Sequence, residues 1–168
     1  MKMELLQPFI NSADAVLAQT LQCATTVGDV TMEEEVYRRK GLAALVLIRG
    51  ELEGRIILDI EPRTAAKAAS FLTGEEVAET ADLVRETVCE LANMLIGNAV
   101  TSLNDQGFHF KVAPPEIHTA EEGLSTTADT DALVMSFETP HGVVYLNLAI
   151  RKNARRRSER SAVARLPV

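Results

Sequence analysis

The feature that most constrains the fold is a proline-free stretch of 27 residues, from 79 to 105. At about 100° per residue, its apolar side chains fall on one stripe about 80° wide, which predicts a long amphipathic helix. The stripe consists of Val84, Val88, Leu91, Leu95 and Ala99. We therefore expect this stripe to be buried in the core of the domain.

The opposite face of this helix is polar and contains residue types that are uncommon inside helices. It carries Glu86, Glu90, Asn93, Gly97 and Asn104 within about 60°. Asn and Gly inside a helix each cost about 0.7 to 1 kcal/mol relative to Ala, so folding alone does not explain them. Glu90 could pair with a lysine and Asn93 could orient a water, while Gly97 would let another backbone approach. The competing interpretation is a chance E-x-x-N spacing on a solvated face.

The rest of the chain predicts an α+β domain with an antiparallel β-sheet packed against long helices. A first helix is predicted over 9–21, with Pro8 in its first turn, and a short one from Pro62 with Gly74 as C-cap. Strands are predicted at 30–39, 42–48, 55–60, 108–117, 132–138 and 143–150. Short connections favour antiparallel pairing. Each half contains a helix followed by strands, which resembles a loose internal duplication.

Length and charge limit the classes of function. The 168 residues suit one domain, predicted at 1–150, and no run approaches the length of a membrane span or a signal peptide, so we expect a cytoplasmic protein. Residues 1–150 hold 23 acidic and ten basic residues, a net charge of −13, which disfavours nucleic-acid binding. Residues 151–168 hold seven basic residues and one acid, which predicts a disordered basic tail.

The sequence contains no pattern for a metal or a covalent nucleophile. Cys23 and Cys89 are 66 positions apart, which suits buried, reduced thiols. The three histidines, His109, His118 and His141, are too scattered to predict a metal site held by this chain alone. The motifs of nucleotide-binding loops, hydrolase elbows and zinc proteases are missing from the sequence.

At the long helix, the sequence resembles the CheX-type phosphatases of bacterial chemotaxis, within the wider CheC, CheX and FliY family. Residues 90–97, ELANMLIG, match the E-x-x-N-M-x-x-G signature of that family. Similarity extends to the segments 7–13, 49–60, 114–115 and 139–148. The first predicted helix has no E-x-x-N, and this single-motif pattern is CheX-like.

The resemblance implies a CheC-like fold and hydrolysis of the aspartyl phosphate on a response-regulator receiver domain, as in phosphorylated CheY. The motif glutamate, here Glu90, would pair with the lysine of the receiver, and the asparagine, here Asn93, would orient the attacking water. The receiver would supply the magnesium, so no cofactor is expected on this chain. Glu86 and Gly97 are expected to contact the partner, although Glu86 suits a solvated face equally well.

The resemblance also implies a homodimer joined through the sheets. The segments 30–39 and 143–150 are rich in β-formers and could pair across a sheet edge. We therefore expect a second copy of this chain as a partner besides the receiver.

Two other classes of function stay open. A non-catalytic adaptor could dock on receiver domains through the same helix, and it would need Glu90 but not Asn93. A structural protein could use the helix as an oligomer interface, with Gly97 permitting close packing. A face of Glu and Asn is polar for a dry interface core, and the intact E-x-x-N favours the enzyme.

Overall fold

The computed structural model describes residues 2–33, 39–119 and 131–153 of the chain. In these ranges, the helices are α1 (Met3–Leu21), α2 (Pro62–Thr73) and α3 (Asp82–Asp105). The strands are β1 (Thr26–Glu33), β2 (Leu42–Gly50), β3 (Leu52–Ile60), β4 (Phe110–Val112), β5 (Glu116–His118), β6 (Ala132–Thr139) and β7 (Gly142–Lys152). The order places a helix before each group of strands, α1 before β1–β3 and α3 before β4–β7.

The seven described strands form one antiparallel sheet in the order β1-β6-β7-β3-β2-β4, and β5 also pairs with β2. This confirms the predicted α+β class. The strand predicted over 108–117 is instead two short strands, because Pro114 and Pro115 lie between them and have no amide hydrogens to donate. Both short strands pair with β2, so they form one edge of the sheet.

The position of β7 contradicts one expectation about assembly. β7 is hydrogen-bonded to β3 on one side and to β6 on the other. The segment 143–150 therefore lies in the middle of the sheet, and the prediction that it pairs across an edge is wrong. β1 pairs only with β6 in the described ranges and forms the second edge.

The three helices cover one face of the sheet. Alternate residues of the strands join α1, α2 and α3 in the main core, whose largest fully buried side chains are Phe9 and Phe137. α1 packs beside α3, where the buried Ser12 hydroxyl donates to the Leu95 carbonyl oxygen at 2.7 Å. All five residues predicted to form the buried stripe of α3 are buried.

The helix ends follow the sequence signals except at the starts of the first and third helices, since α3 begins at Asp82 and not at 79. α2 begins at Pro62 and has Gly74 as its C-cap with a φ of 75°, as predicted. α1 begins at Met3, so Pro8 lies inside the helix and not in its first turn. An internal proline costs about 3 kcal/mol, and the burial of Leu5 and Leu6 in the core offsets that cost.

The last described strand extends two residues past the predicted domain end at 150. Arg151 Nε donates to Glu53 Oε1 at 2.9 Å, and Lys152 Nζ lies 3.9 Å from Glu4 Oε1. The first two cations of the predicted tail therefore belong to the sheet. The disorder expected for the tail concerns residues 154–168, which lie outside the described residues, and stays a prediction. None of the helices in the described ranges has the length and apolar character needed to cross a membrane.

Gly54 provides a test of the close contact between β3 and β7. Its φ is 144°, and a Cβ there would overlap the carbonyl oxygen of Ala149. We expect Gly54→Ala to lower the free energy of unfolding by at least about 2 kcal/mol, measured by denaturant unfolding. As control, Gly97→Ala should raise that free energy by about 0.5–1 kcal/mol, because nothing lies within 4 Å of its Cβ position. Equal effects of the two changes would contradict this account.

Candidate functional site

The candidate site is the polar stripe of α3, defined as Glu86, Glu90, Asn93, Gly97 and Asn104. All five residues are exposed, as the helical winding predicted. The flanks of α3 pack against α1 and α2, and its inner face packs against the sheet. The polar stripe therefore faces away from this packing and is open to another molecule.

The buried side of α3 fixes the direction of the polar stripe. The buried residues of the helix are Val84, Thr87, Val88, Leu91, Ala92, Leu95, Ile96, Ala99 and Leu103. At 100° per residue they cover about half of the circumference. The Ser12–Leu95 hydrogen bond adds a directional contact to this packing. A rotation of the helix would expose core residues, so the stripe is held in place by packing.

Glu90 and Asn93 lie three residues apart on this stripe, which places their side chains beside each other. Within the described ranges, neither side chain forms a hydrogen bond or an ion pair. The Glu90 carboxylate can therefore accept hydrogen bonds from a cation, and the Asn93 amide keeps both a donor and an acceptor. The pair is suited to a partner that brings its own reactive group.

Gly97 lies one turn after Asn93 and leaves a notch in the stripe. Apart from the nearby backbone of α3 itself, no atom in the described ranges lies within 4 Å of the position that its Cβ would occupy. A glycine in the middle of a helix costs about 1 kcal/mol relative to alanine, and no contact within the described structure requires it. The notch is thus available to the backbone or a side chain of another molecule.

Cys89 lies directly before Glu90 on the flank of the helix. Burial raises the pKa of its thiol, and the negative charge of Glu86 raises that pKa further. Both cysteines are free, as predicted, but each is partly exposed and not fully buried. Among the described residues, no group of three or more His, Cys, Asp or Glu side chains could hold a metal ion.

Sequence reasoning identified the polar stripe but missed the residue that connects its helix to α1. Ser12 is buried and belongs to the apolar side of α1, between Phe9 and Ala13. A serine in that position was the available signal, because a buried hydroxyl needs a hydrogen-bond partner. Its partner, the Leu95 carbonyl, is 83 positions away and could not be found from sequence.

Comparison with known proteins agrees with these features. The sequence model of the family described as chemotaxis phosphatase CheX matches residues 42–138, which include all of α3. A comparison with curated proteins finds no match.

Solved structures of three proteins illustrate the likeness. The CheX–CheY–BeF3–Mg²⁺ complex from Borrelia burgdorferi is 30% identical in sequence, with a TM-score of 0.68, and the match covers 90% of this chain and 100% of that one. A CheC-like superfamily protein from Shewanella sp. PV-4 has 21% identity and a TM-score of 0.80, with 90% and 99% covered. The chemotaxis protein CheX from Vibrio vulnificus has 20% identity and a TM-score of 0.76, with 88% and 99% covered.

The raised pKa of Cys89 can be tested by alkylation. A raised pKa leaves less thiolate at a given pH. The alkylation rate of Cys89 should therefore rise at a higher pH than the rate of the amino acid cysteine in solution. Glu86→Gln removes the nearby negative charge and should move the rate profile of Cys89 toward lower pH. The measurement is iodoacetamide alkylation against pH in a Cys23→Ser background, with Asn104→Asp as control. A profile unchanged by Glu86→Gln would contradict the assigned influence of Glu86.

Proposed function

The chain belongs to the CheX family of chemotaxis phosphatases, and on this premise we propose that it hydrolyses the aspartyl phosphate of a CheY-like receiver domain. The observation that carries the proposal is the exposed, unpaired Glu90 and Asn93 on the rigidly packed α3. The structure of the relative from Borrelia burgdorferi is that of a complex with CheY, BeF3 and Mg²⁺, which supports a CheY-like partner for this chain. Such a substrate would place the protein in the cytoplasm.

We propose that Glu90 holds the partner and Asn93 assists the chemistry. The Glu90 carboxylate pairs with the active-site lysine of the receiver, which positions α3 over the phosphorylated aspartate. The Asn93 amide accepts a hydrogen bond from a water and directs its oxygen toward the phosphorus. The new P–O bond forms as the bond between phosphorus and the aspartate oxygen breaks. The two protons of the water leave with the phosphate, and the aspartate is released as a free carboxylate.

The remaining components of the reaction are assigned to the partner. A magnesium ion on the receiver would supply the positive charge that neutralises the phosphoryl oxygens. On this chain, Glu86 extends the negative charge of the polar stripe by one turn, and Gly97 leaves room for a close approach. We propose both as contacts to the receiver. The site is therefore completed only when the two proteins meet.

Asn93→Ala distinguishes two functions of this protein, a phosphatase and an adaptor that binds the receiver without catalysis. We expect at least a tenfold lower rate of phosphoryl loss at saturating receiver, because the water is no longer oriented, while the melting temperature stays within about 1 °C. The measurement is a time course of phosphate loss from labelled receiver domains. The matched control is Asn98→Ala, an exposed asparagine on α3 that lies about 140° around the helix from Asn93 and outside the polar stripe. Full activity of the Asn93 variant would support the adaptor.

Glu90→Gln tests the docking contact. We expect the dissociation constant for a receiver activated with BeF3 and Mg²⁺ to rise about tenfold, because a charged pair at the contact is lost. Isothermal titration calorimetry measures the constant, and the effect should weaken at high salt. The control is Asp105→Asn, which removes an exposed acid at the far end of α3. If both variants bind like the natural protein, Glu90 belongs to the solvated face.

We further propose a homodimer that forms through β1. This strand is a sheet edge, and it exposes Val27, Val30 and Met32 by 51%, 53% and 55%. An open edge with apolar side chains favours pairing with another strand. The opposite edge, β4 and β5, is interrupted by two prolines and offers less backbone for pairing.

Val30→Lys should weaken this dimer, because it places a charge on the proposed contact edge. We expect light scattering at micromolar concentration to give a dimer for the natural chain and a monomer for the variant. Val112→Lys is the matched control, since Val112 is an exposed valine on the opposite edge strand β4. A monomeric natural protein, or equal dissociation by both variants, would contradict the proposal.

A further inference from the structure

A cavity of about 360 Å³ lies beside α2, and no residue of the polar stripe of α3 lines it. Its walls are α2, the segment that leads from α2 toward α3, and the turn between β6 and β7. The residues that line it are Arg63, Ala66, Lys67, Ser70, Glu76, Val77, Ala78, Glu79 and His141. Its volume is at the lower end of the range for small-molecule sites.

Specific contacts connect the other two walls of this cavity to α2. Thr64 is 1% exposed, and its hydroxyl donates to the His141 carbonyl oxygen at 2.9 Å. The His141 ring packs edge-on against Phe71, with 5.6 Å between ring centroids. On the other side, the Val77 amide donates to the Ser70 hydroxyl at 3.0 Å. The cavity is therefore formed by the fold itself and needs no ligand to hold its walls together.

Charges of both signs line the cavity. Arg63 and Lys67 lie one turn apart on the same side of α2, and Glu76 and Glu79 lie on the facing segment. In the parts of the chain that the structure describes, none of these four side chains forms an ion pair. Two cations and two carboxylates thus line one space, and each pair is free to bind a charge of opposite sign.

We propose that this cavity binds a small zwitterion that carries both a carboxylate and an ammonium group. The carboxylate binds between Arg63 and Lys67, where a guanidinium and an ammonium both donate. The ammonium group faces Glu76 and Glu79, and the intervening carbons contact Ala66 and Val77. A simple anion would be repelled by the two glutamates and a simple cation by the two bases, so the balance of charge selects a ligand with both.

Binding of matched probes tests the proposal on the full chain. The probes are 4-aminobutanoate and 6-aminohexanoate, compared with butanoate, hexanoate, butylamine and hexylamine, which each carry one charge. We expect at least one zwitterion to bind saturably and at least tenfold more tightly than its two single-charge analogues by calorimetry. Amide NMR shifts on the natural chain should locate the effect at Ala66, Val77 and His141. No preference for either zwitterion, or shifts located elsewhere, would overturn the proposal.

Paired variants confirm the location by a second route. R63Q/K67Q should weaken zwitterion binding at least tenfold, because the carboxylate loses both partners. R49Q/K111Q is the matched control, since Arg49 and Lys111 are exposed register partners on β2 and β4 and lie outside the cavity. An equal loss in both double variants would show a general effect of charge and overturn the site. This test does not involve Glu90 or Asn93, so its result is independent of the proposed phosphatase activity.

Discussion

The packing of α3 determines where every group of the candidate site lies. About half of its circumference is buried against α1, α2 and the sheet, and the Ser12 hydroxyl bonds to the Leu95 carbonyl at the contact with α1. Each residue advances the helix by about 100°. A shift of one residue in the apolar pattern would therefore turn Asn93 away from solvent. A partner can contact Glu90 and Asn93 together only because packing in the core fixes the rotation of α3.

The proposed chemistry depends more on where the side chains of Glu90 and Asn93 lie than on the reactivity of either group. Neither the carboxylate of Glu90 nor the amide of Asn93 forms a hydrogen bond or an ion pair within the described structure. Their value lies in being presented together on a rigid element, without internal hydrogen bonds that a partner would have to break. This arrangement suits a reaction in which the metal ion and the phosphorylated group belong to the other protein.

The sequence predicted local features well and nonlocal ones poorly. The bounds of α2 and the end of α3 follow from proline, glycine and the apolar period, which act within a few residues. The start of α1 was misplaced, because burial of Leu5 and Leu6 outweighs the cost of Pro8. The central position of β7 depends on pairing with β3, about 90 positions earlier, and no periodicity reveals strand order. The cavity between Arg63 and His141 was missed for the same reason, since its walls are distant in sequence.

The two edges of the sheet differ, and the difference limits how many copies can join. In the described part of the chain, β1 is one strand of 8 residues with a register shift between Val27 and Val30, whereas Pro114 and Pro115 divide the opposite edge into two short strands. Proline has no amide hydrogen, so that second edge cannot form a long run of backbone hydrogen bonds with another strand. Two chains that paired through β1 would each use this edge in one closed contact. The edges left at the two ends of such a joined sheet would be the short strands β4 and β5, which limit further strand addition and the growth of a fibre.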